Sequence, residues 1–239
     1  MSKKTVVLLS GGLDSATTLY FAKAKGFQCY CLIFDYGQRH KKEIASAKKI
    51  AQRAGCAWQV IKISLPWKGS SLLDKKMSVH SPQSIVQSIP LTYVPARNII
   101  FLSFALSYAE AIKASSIFIG ANAIDYSGYP DCRPEFYRAF IKVVNLGTKA
   151  GVEGRGFSIF TPLIKMTKAG IIKLGTRLKV PYGLTWSCYQ GGKFPCGRCD
   201  SCLFRAKGFQ EAGVKDPLKV YESECRGRPL CLPETEVRN

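Results

Sequence analysis

The chain has 239 residues, 46% of them hydrophobic and 21% charged, a balance that excludes a disordered or low-complexity polypeptide and supports one domain with a real core and a small appendage. Its 35 Lys and Arg against 16 Asp and Glu give a net charge of +19; such a surface attracts polyanions, including RNA, ATP and acidic small molecules, but the charges are spread out rather than gathered in a nucleic-acid-binding arm. The longest apolar region, Ile99 to Ala109, is broken by Ser103 and Ser107 and followed by Glu110, too short for a membrane span; the apolar run after Met1-Ser2-Lys3-Lys4 is shorter than a signal-peptide core, so a cytoplasmic location is expected.

Thr5-Val6-Val7-Leu8-Leu9 reads as a buried strand. It leads into Ser10-Gly11-Gly12-Leu13-Asp14-Ser15, and a helical pattern leaves that stretch with Ala16, Leu19, Tyr20 and Ala24 on one face. The six residues therefore sit on a tight strand-to-helix turn. Glycines let the backbone approach a ligand, and Ser10, Ser15 and the first N–H groups of the helix can converge on a phosphate. Taken alone, the six residues fit an ordinary Gly-Gly turn equally well.

Gln28 to Phe34 is the second strand and ends in the polar run Asp35 to His40. A helix with Ile44, Ala47, Ala51 and Ala54 on one face follows, then a third strand, Trp58 to Ile63. This alternation predicts an α/β fold, a Rossmann-like parallel sheet flanked by helices with right-handed crossovers. Ligands bind such sheets at the carboxyl ends of the strands. From Ser64 to Thr92 periodicity is lost among Pro66, Gly69, Pro82 and Pro90, and an insertion or lid over the site is expected.

Asn98 is expected to cap a helix whose body, Ile99 to Ile112, is apolar on nearly every face and therefore central. Ile117 to Ala121 is a fourth strand, again ending in polar residues, Asn122 to Arg133. Pro134 suits a first helical turn, with Phe136, Phe140, Val143 and Val144 on the apolar face. Gly147 to Gly156 reads as a flexible loop, Ser158 to Phe160 as a short strand, and Thr167 as the cap of a helix running to about Leu178. The α/β domain is drawn over 1–180, a C-terminal lobe over 181–217 and a tail over 218–239; the lobe is rich in Gly and Cys and short on periodicity.

Ten cysteines in a chain expected to be cytosolic do not signal disulfides. Cys188-x7-Cys196-x2-Cys199-x2-Cys202 offers four thiolates in a compact segment. Tetrahedral zinc takes four such ligands in a closed shell with no open position for chemistry. One structural zinc per chain, fastening the C-terminal lobe near the site, is the expectation; an iron–sulfur cluster or chance grouping of buried thiols are the alternatives. Cys225 and Cys231 fall too late for the same shell.

Ser10 to Ser15 resembles the pyrophosphatase loop of the ATP pyrophosphatase superfamily, which includes GMP synthetase, NAD synthetase, argininosuccinate synthetase and tRNA thiolases. Phe34-Asp35-Tyr36-Gly37-Gln38-Arg39-His40, Val94-Pro95-Ala96-Arg97-Asn98, Asp125-Tyr126-Ser127-Gly128-Tyr129-Pro130-Asp131-Cys132-Arg133 and Thr185-Trp186-Ser187-Cys188-Tyr189 narrow the resemblance to the 7-cyano-7-deazaguanine synthase family, from about Lys4 to Pro217. One departure stands out: that family usually carries Glu after Thr167-Lys168-Ala169, where this chain has Gly170, which removes a capping box.

The resemblance implies an adenine nucleotide alpha-hydrolase-like fold. It also implies ATP-dependent conversion of 7-carboxy-7-deazaguanine and ammonia to 7-cyano-7-deazaguanine through adenylated intermediates, on the route to queuosine or archaeosine. The nucleotide segment is then Leu8, Leu9, Ser10, Gly11, Gly12, Leu13, Asp14, Ser15, Ala16, Thr17 and Thr18, with Phe34 and Asp35 beside adenosine and Mg²⁺ on the departing pyrophosphate. Asp14, Arg97 and Lys168 are the candidate catalytic residues, the two cations neutralising phosphate or carboxylate; Arg39 and His40 are weaker candidates. Asp125, Tyr129, Asp131 and Arg133 are the candidates for the guanine-like edge, loop-stabilising hydrogen bonds being the plain alternative. With only His40 and His80 and no room for a glutaminase domain, free ammonia or a separate donor is expected. A homodimer is implied, and direct tRNA binding is not. Two rival readings are a tRNA sulfur transferase of the same superfamily, which needs reactive cysteines, and a zinc-ribbon RNA-binding module, which leaves the Ser10 to Ser15 loop unexplained.

Overall fold

A computed structural model describes residues 2–38, 41–67, 70–74, 89–90, 92–122 and 129–218. The strands are β1 (Lys4–Leu8), β2 (Gln28–Asp35), β3 (Ala57–Lys62), β4 (Ser116–Phe118) and β5 (Ser158–Phe160). The helices are α1 (Leu13–Ala24), α2 (Lys42–Arg53), α3 (Arg97–Ala111), α4 (Pro134–Gly147), α5 (Lys149–Val152), α6 (Lys168–Arg177) and α7 (Asp200–Ala212). The sheet is parallel throughout, in the order β3-β2-β1-β4-β5. Strand order reverses between β1 and β4. A crevice at the carboxyl ends of these two strands is where such a sheet takes a ligand.

The apolar strands have no polar face because both faces are covered. Val7, Leu9, Cys31 and Ile33 pack with α1, α2, α6 and α7 through Leu19, Ile44, Ile50, Ile171 and Phe209. Val6, Leu8, Leu32 and Phe34 pack on the other side with α3 and α4 through Leu102, Ala105, Tyr137 and Val144. The alternation of Val6/Leu8 against Val7/Leu9 follows from the two-residue period of a strand.

The structure corrects several sequence expectations. Asn98 does not cap α3; the N-cap is Ala96, in the left-handed region at φ 54°. Asn98 lies inside the first turn, and Asp131 supplies the capping acceptor from a distant segment: the Asn98 N–H donates to Asp131 Oδ2 at 3.0 Å. Nor is α3 buried all round. Leu102, Ala105 and Ala109 are buried, whereas Ile99 and Phe104 are 42% and 41% exposed. On α4, Val144 is buried but Val143 is exposed. Gly147 to Gly156 is no open loop: Thr148 Oγ1 accepts from the Gly151 N–H and starts the short helix α5. Most of the expected lid, 68–69, 75–88 and 91, lies outside the described residues. Thr167 does cap α6, its Oγ1 accepting from the Gly170 N–H at 3.2 Å.

Two glycines set the distances on which the site depends. Gly11 has φ +86°, and a Cβ there would stand 2.2 Å from the Glu43 carbonyl oxygen of α2. Gly208 on α7 faces α6, where a Cβ would stand 2.4 Å from Lys168 Cγ. Gly12 differs, since a Cβ would find nothing nearer than Ser10 Oγ at 3.5 Å. Gly11→Ala is expected to destabilise the fold by ~3 kcal/mol or more, while Gly12→Ala stays within about 1 kcal/mol of the parent. Denaturant unfolding of the two variants checks this, and equal losses would contradict the close approach of Gly11 to α2.

Candidate active site

The loop after β1 is held by its own serines. Ser10 Oγ and Ser15 Oγ are 3.0 Å apart, the Ser10 N–H donates to Ser15 Oγ at 3.2 Å, and Ser15 Oγ donates to the Gly12 carbonyl at 3.1 Å. This network fixes the turn and presents the start of α1 to a cavity of about 290 Å³, at the small end of ligand pockets. Of the sequence-assigned nucleotide segment, Leu8, Leu9, Ser10, Gly12, Leu13, Asp14, Ser15 and Phe34 line the cavity. Gly11, Ala16, Thr17, Thr18 and Asp35 do not. Ala16, Thr17 and Thr18 are buried, and Thr17 Oγ1 is bonded to Tyr182 Oη at 2.9 Å. Asp35 instead pairs with Lys41 at 3.5 Å.

Asp14, Arg97 and Lys168 come together on this cavity from α1, α3 and α6. Lys168 Nζ donates to both Asp14 oxygens, at 2.9 and 2.8 Å. Arg97 Nη1 donates to Tyr36 Oη at 3.4 Å. Burial works against the Arg97 charge, but Tyr36, Tyr129 and Asp131 outweigh it and hold the guanidinium firmly protonated. Phe34 stacks on Phe101 with centroids 3.9 Å apart and planes 4° from parallel, giving the cavity a flat apolar wall.

Of the residues assigned to the substrate edge, Tyr129 lines the cavity. Asp131 is buried and occupied by α3 and Asn98. Arg133 is exposed at the N-cap of α4 and Asp125 lies outside the described residues, as do Arg39 and His40. Several lining residues were not singled out from sequence: Tyr36, Gln38, Glu43, Asn98, Phe101, Asn122, Trp186, Ser187, Tyr189 and Arg205. Most fall inside stretches whose polar strand ends or motif matches drew notice. Glu43 and Arg205 lie on helices and carry no such signal.

Arg205 ties the C-terminal segment together. It donates to Asp216 Oδ2 and Oδ1 at 2.6 and 2.8 Å and to Thr185 Oγ1 at 2.7 Å. Beside it the Trp186 N–H donates to the Gly11 carbonyl at 2.9 Å, and Trp186 Nε1 donates to the Cys188 carbonyl at 2.9 Å. The strap carrying the first cysteine is thus bonded directly to the loop after β1.

The four sulfurs of Cys188, Cys196, Cys199 and Cys202 lie within 4.8 Å of one another. A tetrahedron of thiolates on zinc needs sulfurs ~3.8 Å apart, given Zn–S bonds of about 2.3 Å, so the set fits one small ion. Backbone N–H groups of Gln190 and Cys196 donate to Cys188 Sγ, and that of Cys199 to Cys196 Sγ, at 3.3–3.4 Å, an arrangement suited to carrying negative charge on sulfur.

The family model described as queuosine biosynthesis protein QueC matches residues 4–213. The chain belongs to that family. It is 55% identical over 220 residues to the 7-cyano-7-deazaguanine synthase of Trichormus variabilis, covering 90% of this chain and 97% of the relative. It is 56% identical over 224 residues to the enzyme so named in Desulfatibacillum aliphaticivorans (91% and 96% covered) and 53% identical over 221 residues to that of Thermoplasma volcanium (92% and 91%). Family membership spans both the β1 loop and the four-cysteine segment.

One electrostatic feature of the cavity is open to measurement. Burial pushes the Glu43 carboxyl up to about 7, against the opposing pull of Arg97. The folded chain therefore keeps a proton on Glu43 between about pH 4.5 and 7, a range in which the unfolded chain has released it. The stability Glu43 contributes is thus lost as pH rises through that window. Glu43→Gln removes the effect, so its denaturant midpoint relative to the parent should climb from pH 5 to pH 8. An offset that does not change with pH would contradict a raised carboxyl.

Proposed function

We propose that this chain converts 7-carboxy-7-deazaguanine and ammonia to 7-cyano-7-deazaguanine at the expense of ATP. The observation that carries the reading is the convergence of Asp14, Arg97 and Lys168 on one cavity beside the Ser10 to Ser15 turn, in a chain whose relatives bear that enzyme's name. The reaction replaces two carbon–oxygen attachments with a carbon–nitrogen triple bond. A carboxylate oxygen attacks the α-phosphorus and pyrophosphate leaves. Ammonia attacks the acyl carbon and AMP leaves, giving the amide. Adenylation of the amide oxygen and a second loss of AMP leave the nitrile.

The protein's part is placement and charge neutralisation. The Phe34–Phe101 stack and the carboxyl ends of β1 and β2 would hold the adenosine. The start of α1 would face the phosphates, with Lys168 released toward them from Asp14. Arg97 would meet the substrate carboxylate, and Tyr129 would lie against the deazaguanine ring. Glu43, held near neutrality, suits transfer of the proton that incoming ammonia sheds. Magnesium accompanies ATP in the family this chain resembles. Both Asp14 oxygens are engaged by Lys168, so Asp14 does not fit a resident ion, and no step is assigned to one. We read the four-cysteine set as a structural zinc site, and a homodimer and a cytoplasmic location belong to the same reading.

The sulfur-transfer alternative needs a reactive thiol in the cavity. Among the described residues that line the cavity, the thiol is Cys132, which burial pushes up to about 11 and which accepts from Asn98 Nδ2 at 3.4 Å. Such a thiol is a poor nucleophile.

Activity, metal content and unfolding measurements test the reading. Purified chain with ATP, magnesium, ammonia and the carboxy-deazaguanine should release the nitrile, and Cys132→Ser should keep more than about half of that activity because no thiolate takes part. No product under those conditions, or complete loss in a folded Cys132→Ser chain, would overturn it. Metal analysis should give about one zinc per chain, and a strong chelator should lower the unfolding midpoint; an absorbing iron chromophore would replace zinc with a cluster.

A further inference from the structure

Three cysteines gather at the opposite end of the sheet from the cavity. Cys29 is the second residue of β2, and Cys56 immediately precedes β3. Tyr30 pairs with Ala57 across the two strands, so Cys29 and Cys56 are the next positions back in the same register and project to the same face. Cys31 lies two residues on and shares that face. Each of the two outer thiols donates to a carbonyl just before it in the chain, Cys29 Sγ to Phe27 at 3.7 Å and Cys56 Sγ to Ala54 at 3.6 Å. They differ in access. Cys31 is sealed in the core and Cys29 nearly so, whereas Cys56 is half-buried. Cys29 and Cys56 line a surface cavity of about 200 Å³ together with Lys23 and Gly55. Cys31 does not. The proposed reaction uses none of these residues.

We propose that Cys56 is a peroxide-reactive thiol which Cys29 resolves into a disulfide joining β2 to the start of β3. Three features support it. The neighbouring Cys29 and Cys31 thiols and the Lys23 ammonium draw the Cys56 thiol down from its ordinary range, while the same cluster and burial push Cys29 and Cys31 up. Lys23 is itself anchored, its Nζ donating to the Ala54 carbonyl. Paired strands stand ~4.8 Å apart, which brings in-register Cα atoms within the range a disulfide spans.

The chemistry closes without a further reagent beyond the oxidant. The Cys56 thiolate attacks one oxygen of hydrogen peroxide. The O–O bond breaks, sulfur becomes the sulfenic acid, and the departing hydroxide takes a proton to become water. Cys29 still carries its own thiol proton at this point. The Cys29 thiol gives up that proton and attacks the sulfenic sulfur; the S–S bond forms, the S–O bond breaks, and a second water leaves. Two thiols are oxidised by two electrons and one peroxide is reduced. A dithiol reverses the change.

The test uses the full chain with its metal retained. After brief exposure to a stoichiometric amount of hydrogen peroxide and alkylation, non-reducing peptide mapping should show a Cys29–Cys56 link that dithiothreitol removes. In Cys29→Ser the link is absent and dimedone labels Cys56. In Cys31→Ser the link persists. In the untreated chain Cys56 should alkylate about tenfold faster than buried Cys132 at neutral pH. Should Cys56→Ser fail to fold, the Cys29→Ser and Cys31→Ser chains and the alkylation rates carry the test. A Cys31–Cys56 link, a Cys56 that stays unmodified while other thiols oxidise, or equal alkylation of Cys56 and Cys132 would overturn the proposal.

Discussion

The structure turns on the place of Gly11. Its missing side chain lets the loop after β1 lie against the α2 backbone, where a Cβ would come within 2.2 Å of the Glu43 carbonyl. Its carbonyl accepts from the Trp186 N–H. One residue is therefore wedged between a helix of the sheet domain and the strap that leads to the metal-type cysteines. The common view of a glycine in such a loop is that it makes room for a phosphate. Here a Cβ at Gly12 would meet only ordinary van der Waals neighbours, Ser10 Oγ and the Trp186 carbonyl, and Gly11 is committed to the protein's own packing. Glu43 faces the cavity because the same contact fixes its helix beside the loop.

The four-cysteine segment gains its meaning from the same connection. With an ion bound, four thiolates would leave no vacant position for a reactant, so the cluster would act on the site by position. It acts through short covalent distance: Cys188 is two residues from Trp186, and α7 starts next to Cys199. That helix returns Arg205 to the strap and sets Gly208 against Lys168. Two walls of the cavity, the strap and the N-terminal end of α6, are thus referenced to the four-cysteine cluster. The C-terminal segment is part of the site's frame as much as the sheet is.

Much of this was legible from residue pattern, and the exceptions have physical causes. The strands were readable because a doubly covered parallel strand is a plain apolar run, and three of its polar terminations mark the carboxyl edge. Asn98 misled because a good capping residue one position inside a helix looks the same in sequence as one at its cap; the acceptor that decides the matter, Asp131, comes from more than thirty residues away. Ile99 and Phe104 were read as buried because hydrophobicity reports what a side chain tolerates, and exposed apolar residues are common on folded surfaces. Helix α7 has little apolar contrast between its faces because its burial is shared among Gly208, Phe209 and a buried Arg205, none of which makes an amphipathic stripe. Glu43 was invisible for a related reason. A carboxylate beside Ile44 on a helix full of lysines reads as solvated, and only the loop packed over it makes it otherwise.

The charges around the cavity show why the arrangement seeks anions. Lys168 is balanced by Asp14, and Arg205 by Asp216, each through short paired hydrogen bonds. Among the described residues that line the cavity, Arg97 bonds to a neutral phenol, Tyr36. The buried Asp131 also supports that guanidinium, and in the cavity wall burial keeps Glu43 partly protonated at neutral pH. The lining thus sets a firmly protonated guanidinium beside a carboxyl that burial pushes up, in surroundings where a charge is felt strongly. An incoming anion can bond to Arg97 without disturbing the two existing bridges, and a second, more highly charged one can compete with Asp14 for Lys168. Two anionic ligands of unequal charge are what an acid-activating enzyme has to hold together. The protein meets that need with one cation bonded to a phenol and another held by a carboxylate that a stronger anion can displace.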